Sequence, residues 1–199
     1  VSAGVDMIEI GAGGGSLASV DQMGLLKVGP RSSGSQPGPV CYGLGGQDPT
    51  VTDADLYLGY LNPNYFLGGQ MTLNLEKVEK SIEETLAKPL GLTVLEAAVG
   101  IHNVVNENMA AATRMHLAEK GRDPRKYDMI AFGGAGPVHA CHMARLLKLD
   151  NVIVPLGAGV TSALGFLVAA PAVDYVRSYV ARLEQINWEY LNQLLYDME

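Results

Sequence analysis

Tyr127-Asp128-Met129-Ile130-Ala131-Phe132-Gly133-Gly134-Ala135-Gly136-Pro137 carries the clearest structural signal in this chain. Residues 127–132 read as a short buried strand, Gly133 to Gly136 as a tight turn, and Pro137 as the first residue of a helix running to about Lys148. Residues 151–155 form a second apolar strand and residues 161–169 a short apolar helix. Strand, turn, helix, strand is a β-α-β unit, the building block of a parallel or mixed sheet. In the turn, unpaired N–H groups and the helix dipole favour an anion or a polar ligand, and absent side chains let that ligand lie on the backbone. The glycines serve equally well merely to turn the chain and bring helix close to strand.

A long helix precedes the unit. Thr93-Val94-Leu95-Glu96 fits a capping box, and Gly121 suits the residue after the helix end. Its buried stripe is expected at Val94, Ala98, Ile101, Val105, Met109 and Ala112, with Asn108 and Arg114 beside it and Asn103 and Asn106 further round. Before it, Leu75, Val78, Ile82 and Leu86 recur at helical spacing after Asn74, an N-cap residue, and Pro89 and Gly91 end the segment. The first 52 residues are β-branched and Gly-rich. Strands are expected at residues 6–10 and 16–20 around Gly11-Ala12-Gly13-Gly14-Gly15, with a turn at residues 21–24 leading into residues 25–28. Residues 29–46, carrying Pro30, Pro37 and Pro39, form a structureless stretch of a length more often functional than filler. After the unit, Trp188, Leu191, Leu194 and Leu195 mark a final amphipathic helix.

Composition narrows the function classes. The 199 residues include 24 Gly and 10 Pro, 18% are charged, and the net charge is −7. Disorder, collagen and coiled coil are excluded, and the acidic balance argues against a broad footprint on nucleic acid. The one long uncharged run, residues 151–173, is broken by Pro155, Gly157, Gly159, Gly165 and Pro171, which argues against a membrane span. Cys41 and Cys141 are too far apart in sequence for a zinc finger or a disulfide framework, so a reducing cytoplasm is expected. No export signal is visible.

Several residue groups can carry chemistry. Gly11 to Gly15 with Ser16 fails the dinucleotide fingerprint, because the sixth position is Ser and a strand follows. Glycines between two strands can still cradle a phosphate, although a plain hairpin turn explains them too. Asp53 and Asp55 form a carboxylate pair suited to a hard cation or a general base, with helix capping near Thr52 as the structural alternative. His139 and His142 share a helix face and would need a carboxylate to make a metal-dependent hydrolase. No metal ligand is assigned from the spacing alone.

Seven separated motifs, taken in order, resemble the hydantoinase A/5-oxoprolinase family. They are Ile10-Gly11-Ala12-Gly13-Gly14-Gly15-Ser16, Val28-Gly29-Pro30, Pro37-Gly38-Pro39-Val40-Cys41-Tyr42-Gly43, Thr50-Val51-Thr52-Asp53-Ala54, Phe66-Leu67-Gly68-Gly69, the segment from Ala131 to Pro137, and Ser162-Ala163-Leu164-Gly165. The resemblance implies an α/β fold that is part of an actin-like, ribonuclease H-like ATPase of two lobes, with a mixed β-sheet flanked by helices closing on ATP. It implies ATP-driven activation of a carbonyl oxygen in a cyclic amide. The alternatives are a ketone carboxylase subunit and a non-catalytic nucleotide-binding or assembly domain.

By the same resemblance, Gly133, Gly134, Ala135 and Gly136 match the nucleoside-binding turn, and Gly13, Gly14 and Gly15 join them as cofactor-binding residues. Asp53 orients substrate or metal, and residues 29–46 form part of the substrate wall. ATP and Mg²⁺ are the implied cofactors, with the Mg²⁺ site mostly outside these residues. A hydantoinase B-type subunit and a homo-oligomer are the implied partners. The family's two Asp-x-Gly-Gly-Thr phosphate segments are missing. The expectation is therefore that residues 1–178 are the C-terminal portion of a longer ATPase-like domain and residues 179–199 a linker and the start of a following helix.

Overall fold

Side chains that terminate helices locally do so here as their chemistry predicts. In the computed structural model, which describes residues 8–169 and 175–198, Asn74 Oδ1 accepts from Lys77 N at 2.9 Å and starts α2, Leu75–Ile82. That helix widens into a π-turn, Glu83–Ala87, closes with the short α3, Lys88–Leu90, and ends on left-handed Gly91. Thr93 and Glu96 form the expected capping box on α4, Val94–Glu119. Asn187 caps α7, Trp188–Tyr196, by accepting from Tyr190 N. Such caps satisfy donors that the first helical turn leaves without partners.

One compact unit is Ile8–Phe166. Its hairpin pairs β1, Ser16–Val20, antiparallel with β2, Leu26–Ser32, with a register irregularity between Ser16 and Ala18. Asp21 Oδ1 accepts from Met23 N and Leu25 N and so closes the turn between them. β2 runs four residues past its expected end. Of the strand expected at residues 6–10, residues 8–10 are irregular and the remainder lies outside the described residues. The hairpin, α1 (Val51–Tyr57), α2 and α4 enclose the core, in which Val51, Val78, Ile82, Leu86, Ile101 and Val105 are fully buried. At Gly100, α4 comes so near β2 that an added Cβ would stand 2.8 Å from Leu26 Cδ2.

The β-α-β unit is present in reduced form. β3, Met129–Ile130, pairs parallel with β4, Val152–Ile153, around α5, Gly136–Leu147. The expected buried strand over residues 127–132 is a correction: only two residues are strand, and Ile130 and Phe132 are 59% and 47% exposed. Only Ala131 and the α5 side of the ribbon pack inward. The molecule is thus mixed α/β, but its described strands form two separate two-stranded sheets instead of one mixed sheet.

The stripe of α4 is also corrected. Ala97, Ala98, Ile101, His102, Val105, Asn106 and Ala110 are its buried residues, so Asn106 lies inside, whereas Asn108 and Arg114 are exposed. α1, α2, the π-turn, β2 and α5 all pack on this helix and widen the buried face beyond a single stripe. The short apolar helix is α6, Thr161–Val168. No helix among the described residues is long and apolar enough to cross a membrane. The described residues from 167 onward belong to another compact unit. Within it Tyr179 accepts from Asn187 N through its hydroxyl and its ring lies 5.3 Å from that of Tyr190.

Candidate functional site

Segments far apart in sequence meet in a cleft of about 630 Å³ within the first unit. Gly14 and Gly15 line it from the first glycine run, Gly34, Ser35, Pro39 and Tyr42 from the Gly/Pro stretch, and Gly134 and Ala135 from the turn before α5. Thr52 and Asp55 enter from α1, while Leu61, Phe66, Val138 and Val160 make the wall largely apolar. Few oriented polar groups in an apolar cleft is the usual character of a small-molecule site.

The two glycine segments approach each other directly. A Cβ on Gly14 would stand 2.7 Å from Thr52 Oγ1 and 3.7 Å from Ala135 Cβ. Thr52 holds the first segment in place, donating to Gly14 O through both its backbone N, at 2.8 Å, and its hydroxyl, at 2.9 Å. Gly13 N donates to Ser16 Oγ, and Gly15 O accepts from Ser33 N. In the second segment Gly133 takes a φ of 87° and donates to Ala158 O at 2.8 Å. Added Cβ atoms on Gly134 and Gly136 would meet nothing within 4 Å. No side chain caps the start of α5, so its first N–H groups have no side-chain acceptor at that end.

The two carboxylates of α1 separate sharply in role. Asp53 is fully buried and occupied: Val40 N, Thr50 N and Thr50 Oγ1 donate to its Oδ2, and Cys41 N donates to its Oδ1. It forms a capping box with Thr50, not with Thr52, and ties the Gly/Pro stretch to the start of α1. Its oxygens are turned to the backbone rather than to the cleft. Burial first, and the neighbouring Asp53 charge second, push the Cys41 thiol far above its ordinary range.

Asp55 is the cleft carboxylate. Its Oδ1 lies 2.9 Å from His102 Nδ1 and its Oδ2 3.3 Å from His139 Nε2. Burial opposes its ionisation, but the two imidazoles outweigh that and hold its carboxyl below the usual range. Tyr60 stacks on His102 at 4.9 Å, and His102 stacks on His139 at 5.0 Å. His142, expected beside His139, is half-buried and meets His102 edge-on at 5.5 Å. Burial first, then the nearby His102, lowers its pKa.

His139 is wholly buried, yet neither ring nitrogen has a hydrogen-bond partner among the described residues; Asn106 Oδ1 shares that condition. Each such group costs about 1–3 kcal/mol if left so. His102 went unmarked in the sequence because its partner Asp55 lies 47 residues away. Its position directly after Ile101, on the buried side of a long helix, was the available signal.

Comparison with other proteins places this architecture. The chain is 55% identical over 173 residues to the acetophenone carboxylase gamma subunit of Aromatoleum aromaticum, covering 86% of this chain and 23% of that one. It is 43% identical over 197 residues to caprolactamase subunit alpha of Pseudomonas jessenii, covering 96% and 28%. The crystal structure of the ATP-dependent caprolactamase from Pseudomonas jessenii superposes with a TM-score of 0.78 at 42% identity, over 98% of this chain and 29% of that one. A nucleotide-free structure of acetone carboxylase does so at 0.72 and 36%, over 77% and 22%. The chain thus spans roughly a quarter of the length of these relatives. The hydantoinase/oxoprolinase family model matches residues 2–175, and with these identities it follows that the chain belongs to the hydantoinase/oxoprolinase family.

Proposed function

We propose that this chain contributes the cleft in which an ATP-dependent enzyme activates a carbonyl oxygen of a cyclic amide by phosphoryl transfer. The observation that carries the reading is the convergence of both glycine segments and the Gly/Pro stretch on one apolar cleft with a single carboxylate in its wall. The surrounding fold is read as part of an actin-like ATPase. An amide carbonyl is a poor electrophile, and ATP supplies the phosphoryl group that converts its oxygen into a leaving group.

The fit to ATP is uneven along its length. Open space at Gly134 and the uncapped start of α5 suit a ligand lying on the backbone. Yet no Lys or Arg lines the cleft, and Asp55 does. The cleft therefore suits the nucleoside end and the uncharged cyclic substrate, while the triphosphate charge requires Mg²⁺ and groups beyond these lining residues. Within this division, Gly133 to Gly136 carry the nucleoside, Gly13 to Gly15 shape the facing wall, and Leu61, Phe66 and Tyr42 exclude water from the substrate. The polar role expected of Asp53 passes to Asp55. A hydantoinase B-type subunit would complete the reaction within an oligomer.

A second reading, a ketone in place of the amide, is favoured by the 55% identity to an acetophenone carboxylase subunit. Titration calorimetry with ATP·Mg²⁺ tests both. Because a side chain at position 134 meets no protein atom, Gly134→Val should fold normally and weaken nucleotide binding at least about tenfold, a loss of ~1.4 kcal/mol. Unchanged affinity in the folded variant would remove the nucleoside from this turn. ADP release driven by a lactam, against that driven by a ketone with bicarbonate, separates the two substrates.

A further inference from the structure

We infer that Asp55, His102 and His139 form a binding site for one divalent transition-metal ion behind the wall of the cleft. The inference goes beyond the phosphoryl-transfer reading and does not depend on it.

Three elements bring the site together: α1 supplies Asp55, α4 His102 and α5 His139. Each offers one ligand atom, and all three atoms lie within 4.8 Å of one another. The residues are 2%, 4% and 0% exposed. Two ligands each about 2.1 Å from a common ion stand about 3.0 Å apart at a right angle and about 3.4 Å apart at the tetrahedral angle. Asp55 Oδ1 lies 2.9 Å from His102 Nδ1 and Asp55 Oδ2 lies 3.3 Å from His139 Nε2, each close to that interval, so the two oxygens of the carboxylate face one imidazole each.

The second observation is independent of spacing. His139 Nε2 stands 3.3 Å from Asp55 Oδ2 in a charge contact outside hydrogen-bond geometry, and neither nitrogen of this wholly buried ring makes a hydrogen bond among the described residues. A cation beside both groups would be ligated by an imidazole nitrogen and a carboxylate oxygen at once. A hydrogen bond along one edge would leave His139 as it is. Stacking of Tyr60 on His102 and of His102 on His139 fixes both ring planes before any ion enters.

The donor set selects the ion. Two imidazoles and one carboxylate suit Zn²⁺, Co²⁺, Fe²⁺ or Mn²⁺, whereas Mg²⁺ demands oxygen ligands and retains its waters. The site is thereby distinct in chemistry from any Mg²⁺ that accompanies a nucleotide. Three protein ligands leave a further coordination position for a water, and Asp55, itself part of the cleft lining, stands between the ion and the cavity.

The test uses the full chain, stripped with a chelator and titrated with Co²⁺, whose visible d–d absorption reports nitrogen and oxygen ligation. The band should saturate at about one ion per chain, yield to Zn²⁺ and ignore Mg²⁺. Zn²⁺ should also raise the melting temperature of the unsubstituted protein, a readout needing no variant. Asp55→Asn and His102→Gln, checked for folding by circular dichroism, should each weaken Co²⁺ binding at least about 100-fold, while His142→Ala should leave it unchanged. No Co²⁺ band together with no thermal shift by Zn²⁺ would overturn the proposal. So would a band that survives in folded Asp55→Asn, or one abolished by His142→Ala alone.

Discussion

Replacing Asp53 with Ala tests whether its carboxylate holds the Gly/Pro stretch to the start of α1. The substitution removes the acceptor for Val40 N, Cys41 N, Thr50 N and the Thr50 hydroxyl. All three backbone donors belong to buried residues, and the hydroxyl can rotate toward another acceptor. Each stranded N–H costs about 1–3 kcal/mol, and partial relaxation brings the sum to ~3–6 kcal/mol, a large share of a usual total of about 5–15 kcal/mol. With a urea slope of about 2 kcal/mol/M, the unfolding midpoint should fall by roughly 1.5–3 M. Asp53→Asn should cost part of this, because its amide group would face donors. The assay is equilibrium urea unfolding followed by circular dichroism. A midpoint lowered by less than about 0.5 M would mean that these hydrogen bonds do not hold the Gly/Pro stretch, and Asp53 would again be free for substrate.

Two further outcomes follow from burial and backbone geometry. The exposed Cys141 should react with a thiol reagent in the native protein while the buried Cys41 does so only after unfolding. Burial raises the Cys41 pKa, so its contribution to stability is complete below the ordinary thiol range near 8.5 and is lost as pH rises beyond it. Stability of the native protein should therefore decline more steeply above about pH 9 than that of Cys41→Ala; equal slopes would contradict this origin. Gly46→Ala should lower the melting temperature sharply, since its Cβ would be driven into the Gly38 carbonyl oxygen and lie 3.1 Å from Pro39 C. Gly134→Ala, which meets no atom, should leave it nearly unchanged; similar melting temperatures for the two would refute the packing described at Gly46.

Local chemistry was legible wherever a segment carried its own instructions. The caps at Asn74, Thr93 and Asn187, the left-handed Gly91 and the hairpin strand Ser16–Val20 needed only neighbours in sequence. Strand boundaries near Met129 and the buried face of α4 differ from the sequence expectation, because both depend on what packs against them. Asp53 and Asp55 looked equivalent as a sequence pair. Two residues along a short helix, one turns to the backbone of a distant stretch and the other to two imidazoles.

The glycine motifs stand in the residue order itself, and with them the hydantoinase/oxoprolinase family. Which side chains meet follows from packing alone. His102 and Asp55 are 47 residues apart and come within 2.9 Å only because α1 packs on α4. His139 joins them because α5 packs on the same helix. Backbone preferences act over a few residues and leave their mark in any short window, whereas the position of a buried imidazole is set by the packing of three helices at once.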